Sequence, residues 1–158
     1  MVEREKGAAF LVGIDHYDDA RLQNFANSES SNDVAKLKQF FTSLDYSQYK
    51  VDSQYQLTGH VTIDALKSKL KDFISTKQYK DVLLYFSGHG YQVKETAKGY
   101  IATSDCELLF SRKGELVGQD NGLSFKDLGK LITEKGSHLS SLVLLLDTCH
   151  SGYAVTEN

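Results

Sequence analysis

Asp81-Val82-Leu83-Leu84-Tyr85-Phe86-Ser87-Gly88-His89-Gly90 is the stretch on which the reading of the whole chain turns. An unbroken apolar and aromatic run closed by small residues is the pattern of a strand buried on both faces, which parallel sheets require. A histidine stands just beyond its carboxyl end. Downstream, Leu142-Val143-Leu144-Leu145-Leu146 repeats the pattern as a last buried strand, running into Asp147-Thr148-Cys149-His150-Ser151-Gly152. Upstream, Ala8 to Ile14 is a third such run, followed by a loop from Asp15 to Asn27.

Between these runs the apolar spacing changes to helical. Val34, Leu37, Phe40, Phe41 and Leu44 predict a helix over about Glu29 to Leu44. Thr62 is placed to cap a second helix carrying Ile63, Leu66, Leu70, Phe73 and Ile74, after a weakly alternating strand from Val51 to Leu57. Ser124 caps a third, bearing Phe125, Leu128, Leu131 and Ile132, with Asp127 in a capping-box position. A hairpin is expected near Tyr100 to Phe110. Strands alternating with amphipathic helices imply crossover connections, hence an α/β protein of three layers, α/β/α, with a mostly parallel central sheet.

The totals suit one domain over residues 1–158: 41% of positions are hydrophobic and 25% charged, with no proline or Gly/Ser tract to mark a linker. A formal net charge of -3 gives no electrostatic grip on nucleic acid. The charged start, Met1 to Lys6, has neither the length nor the flanks of a signal peptide or membrane span, so a cytoplasmic protein is expected. Cys106 and Cys149 are then reduced thiols, not a disulfide framework.

Functional groups of open parallel sheets collect at the carboxyl ends of the strands, where both His89 and Cys149 lie. A thiol attacks a carbonyl as thiolate, and a histidine in hydrogen-bond reach supplies that state and later protonates the leaving amine. Gly88, Gly90 and Gly152 would let substrate approach the main chain. The oxyanion is expected on the backbone N–H groups of Gly90 and Cys149. Asp147, two residues before Cys149, projects to the same side of extended chain. It either orients the histidine or lines the pocket for the substrate side chain, the pocket being preferred. His150 points to the opposite side from its neighbour, so His89 is the better base.

Tyr85-Phe86-Ser87-Gly88-His89-Gly90 and Asp147-Thr148-Cys149-His150-Ser151-Gly152 resemble the histidine and cysteine motifs of metacaspases. Phe10-Leu11-Val12-Gly13-Ile14-Asp15-His16-Tyr17 and Asn32-Asp33-Val34 are similar to that family and its prokaryotic relatives as well, so the resemblance spans about Ala8 to Gly152. It implies a Cys149–His89 dyad, an acidic pocket built from Asp33 and Asp147, and cleavage of proteins after Arg or Lys. Two carboxylates hold a guanidinium by charge-assisted hydrogen bonds and repel an aspartate. The family's small subunit has no counterpart before the chain stops at Asn158, so a large catalytic subunit that needs a separate completing segment is expected. Many metacaspases need calcium. Asp105, Glu107 and Asp120 are the nearby candidates, in no standard calcium loop, and no metal site is assigned.

Blander readings compete. A lone cysteine after an apolar strand is ordinarily a small core residue; Cys106 keeps that reading, while the matched histidine strand removes it for Cys149. Asp33 alone would be read as favouring a helix dipole. Zinc at Cys149, His150, His89 and Cys106 lacks the usual paired spacings. The lysines at 36–38 and 67–71 read as solvated faces. A catalytically silent adaptor of the same fold, or another protease of the same clan such as a separase-like or gingipain-like enzyme, are the alternative functions. The complete set of acyl-transfer residues disfavours the first, and the Asp33–Asp147 pair disfavours the second.

Overall fold

Every residue of β1 (Gly7–Ile14) is buried, which only a central strand covered on both faces permits. In the computed structural model, which describes residues 7–43, 49–93 and 96–148, β1 is flanked by β2 (Tyr49–Gly59) and β3 (Asp81–Gly88). Beyond β3 lies β9 (Ser141–Thr148), giving the order β2-β1-β3-β9 with every pairing parallel. Helices α1 (Glu29–Ser43), α2 (Ile63–Ser75) and α3 (Phe125–Lys135) make the crossovers. This is the three-layer arrangement the alternation of patterns predicts.

The two faces of β1 divide the core. Phe10, Val12, Leu84 and Phe86 meet Leu66, Leu70 and Phe73 of α2 and Leu128 of α3, while Ala9, Leu11 and Leu83 meet Val34 of α1. Full burial of such side chains stabilises by about 1.5–3 kcal/mol each. Phe73 sits 5.4 Å from Phe10 and 5.0 Å from Tyr55, ring centre to ring centre, which ties α2 to β1 and β2. The helix starts match the sequence. Thr62 Oγ1 accepts from Ala65 N–H at 3.4 Å and Ser124 Oγ from Asp127 N–H at 2.9 Å, satisfying donors that the first turn leaves open.

The strand expected over Val51 to Leu57 forms within β2, and two other expectations need correction. The alternation over Val51 to Leu57 is weak because β2 slips against β1, with Ala9 opposite Val51 but Leu11 opposite Gln56. The single hairpin placed near Tyr100 to Phe110 is two. β4 (Gly90–Val93) pairs with β5 (Lys98–Ile101), which continues to β8 (Leu123–Ser124), while β6 (Glu107–Phe110) pairs with β7 (Leu116–Asp120). Tyr100 and Phe110 therefore belong to different hairpins. Finally, β9 is not buried on both faces: Leu142, Leu144 and Leu146 pack on the α2/α3 core, but Val143 and Leu145 are exposed. Among the described residues β9 is one edge of the sheet, and the core cluster on the α1 side holds residues of β1, β2 and β3 but none of β9. No described helix is long and apolar enough to cross a membrane.

Candidate active site

The parallel register sets the carboxyl edge of the sheet in line. Gly13 lies opposite Ser87, Ser87 opposite Asp147, and Gly88 opposite Thr148. The residue after Gly88 is His89, and the residue after Thr148 is Cys149. Cys149 and His150 lie outside the described residues.

His89 is held through both its backbone and its ring. Its backbone N–H donates to the Tyr17 hydroxyl at 2.9 Å, and that hydroxyl donates to the Ile14 carbonyl at 3.0 Å. Its carbonyl accepts from Ala102 N–H at 2.9 Å. Its ring stacks on Phe25 with centroids 4.5 Å apart and tilts against Tyr17 at 4.8 Å. Nε2 lies 2.6 Å from the carbonyl oxygen of Gln23. A carbonyl only accepts, so Nε2 carries the proton, and Nδ1 is the basic nitrogen of the neutral ring.

Glycines make this fit possible at two positions. Gly88 has φ +152°, and a Cβ there would stand 2.8 Å from the Tyr17 hydroxyl that holds His89. A Cβ on Gly13 would meet the Ser30 backbone, its carbonyl carbon at 2.7 Å. That close approach lets the buried Asp15 accept from the N–H groups of Ser30, at 2.8 Å, and Ser31, and from the Ser31 hydroxyl, anchoring the start of α1 at the strand end. Because Ala102 N–H bonds to His89, the antiparallel alternation turns the Gly90 N–H away from β5.

Asp147 is on β9 and Asp33 on α1, and the charges of both act on Tyr85 of β3. The Tyr85 hydroxyl donates to Asp147 Oδ2 at 3.5 Å. Burial holds the phenol pKa above its ordinary value; a Ser87 hydrogen bond opposes this, and the charges of Asp147 and then Asp33 reinforce it. Both carboxylates thus act on one phenol. Asp147 is exposed, and Asp33 makes an ion pair with Lys36 at 3.2 Å, an exposed contact that competes little with a ligand.

The remaining candidates have structural partners. Cys106 is buried with its sulfur 3.2 Å from the Tyr91 hydroxyl, and burial pushes its thiol pKa up, the opposite of a reactive cysteine. Asp105 Oδ1 accepts from Ile63 N–H at 2.8 Å, capping α2, and Glu107 faces Asp120 across the β6–β7 pair. Among the described residues no group of three or more His, Cys, Asp or Glu side chains could hold a metal ion. Sequence reasoning missed Gln23 and Phe25 and gave Tyr17 no role of its own; only the last had a signal, as part of the strand-end motif.

A family model described as caspase domain matches residues 6–157. No curated protein matches the sequence. Among solved structures the chain is similar to caspase-1 from Spodoptera frugiperda, with a TM-score of 0.57 at 10% identity, over 92% of this chain and 48% of that one. The mixed α/β architecture with its parallel sheet is the caspase fold. The chain spans about half the length of that structure.

Proposed function

The chain belongs to the caspase domain family, and on that premise we propose that it is a cysteine endopeptidase of the metacaspase type, with Cys149 as nucleophile and His89 as acid/base. The pairing of Gly88 with Thr148 carries the reading, because His89 and Cys149 follow directly on residues that are neighbours across strands about 4.8 Å apart. The Gln23 carbonyl supports it, leaving Nδ1 to take the thiol proton.

In the proposed cycle the Cys149 sulfur adds to the scissile carbonyl while His89 holds the thiol proton. The N–H groups of Gly90 and Cys149 stabilise the oxyanion. Collapse breaks the C–N bond, His89 gives its proton to the leaving amine, and a thioester remains. Water, deprotonated by His89, then cleaves the thioester and restores the thiol. Asp33 and Asp147 bind an Arg or Lys side chain before the scissile bond, which their shared action on Tyr85 supports. Residues 1–158 act in the cytoplasm as one catalytic unit of the large-subunit type, completed by a small-subunit segment.

Fluorogenic peptides ending in Arg, Lys or Asp, assayed with and without calcium and with a downstream segment joined where one exists, test this. Cleavage after Arg or Lys, lost in both Cys149→Ala and His89→Ala, is expected. Cleavage after Asp alone would sink the acidic-pocket assignment, and activity surviving Cys149→Ala would sink the nucleophile.

A further inference from the structure

We infer that Asp19 is a positioning residue for His89, acting through the loop between β1 and α1. Its side chain is only 6% exposed although it sits on a surface loop. Oδ1 accepts from the Arg21 backbone N–H at 2.9 Å and from Arg21 Nε at 2.7 Å. Oδ2 accepts from Arg21 Nη2 at 2.6 Å and from the Leu108 backbone N–H, on β6, at 2.9 Å. The guanidinium lies over the Phe110 ring, 5.1 Å from its centre, on the same strand. One carboxylate therefore fastens the outer end of the loop to the β6–β7 hairpin.

That end is mechanically close to the histidine clamp. Leu22 N–H bonds back to the Asp19 carbonyl at 2.9 Å, so Asp19 and Leu22 move as one turn. The next residue, Gln23, supplies the carbonyl at His89 Nε2, and Phe25 supplies the stacked ring. The inner end is fixed independently, by Tyr17 N–H on Asn24 Oδ1 at 2.7 Å and Phe25 N–H on the Asp15 carbonyl at 2.9 Å. Between these two anchors the Gln23 carbonyl has one place to be. The structure thus couples a hairpin remote from the strand ends to the tautomer of the proposed base.

Asp19→Asn is the discriminating change, because both oxygens face donors, so an amide nitrogen on either side meets an N–H. Arg21→Gln, which keeps the carboxylate and its bond to Leu108, is the second variant. In the 158-residue chain labelled with 15N, long-range proton–nitrogen spectra read which ring nitrogen of His89 bears the proton. In wild type Nε2 bears it. In Asp19→Asn the two tautomers become mixed, and kcat on the Arg peptide falls about tenfold with KM little changed; Arg21→Gln shifts both in the same direction by less. Wild-type ring signals in either variant, when its circular dichroism shows it folded, overturn the inference whatever the rate does. The rate rests on the proposed protease; the ring signal does not, so the two readings fail separately.

Discussion

The Tyr17 hydroxyl accepts a hydrogen bond from the His89 backbone N–H at 2.9 Å and passes its own proton to the Ile14 carbonyl at 3.0 Å, joining the ends of β1 and β3 through one buried side chain. Tyr17→Phe keeps the ring against His89 and Phe25 but leaves the N–H without that acceptor. An orphaned partner of this kind costs about 1–3 kcal/mol. Urea titration should show a lower midpoint with an unchanged slope, and the His89 amide should exchange faster. A variant as stable as wild type would show that the hydroxyl does not fasten the strand ends.

Gly13→Ala tests the contact between β1 and the start of α1. The new Cβ would meet backbone atoms of Ser30, which cannot swing aside as a side chain can. We expect a loss of about 1–3 kcal/mol from overpacking, read by thermal or urea unfolding. Gly129→Ala is the control: nothing lies within 4 Å of its added Cβ, and helix propensity favours alanine.

Asp147→Asn should lower kcat/KM for Arg and Lys peptides by about thirtyfold or more, the range for losing one partner of a close charge pair. Tyr85→Phe removes a neutral hydroxyl 3.5 Å from Asp147, and a change below about tenfold is expected, mainly in KM. Equal losses in the two variants would point to a structural cause, not charge recognition.

Stability should respond to pH at both extremes. Asp19 is held below its ordinary 3.8 by hydrogen bonds from Arg21 first, then Leu108. Its contribution is whole above the unfolded value and is lost as pH falls through and below it. Tyr17 and Tyr91 are pushed above their ordinary 10.0, chiefly by burial, so their contribution is whole below pH 10.0 and is lost as rising pH forces them to ionise. Midpoints of urea unfolding across pH should fall at both ends. Asp19→Asn should flatten the acid limb alone.

Much of the frame was legible in residue order. The apolar runs at β1 and β3 and the stripes of α1, α2 and α3 depend on repeats within one element, and Thr62 and Ser124 cap as neighbours only a few positions away predict. The positions of His89 and Asp147 at strand ends follow from the same local pattern. β9 shows the limit. Its Leu-Val-Leu-Leu-Leu run matches that of a central strand, yet Val143 and Leu145 are exposed, because cover comes from other elements.

The sequence by itself determined the central strands and the three helices, their parallel sheet and the places of His89 and Asp147 at its carboxyl edge, since periodicity and end residues are local properties. Only the tertiary structure decided how those groups are held. The Gln23 carbonyl reaches His89 from 66 residues away, and the Asp19 carboxylate reaches Leu108 from 89. A backbone carbonyl has no side-chain signature, and its position is set by how a loop closes between distant anchors, which no short window of residues contains.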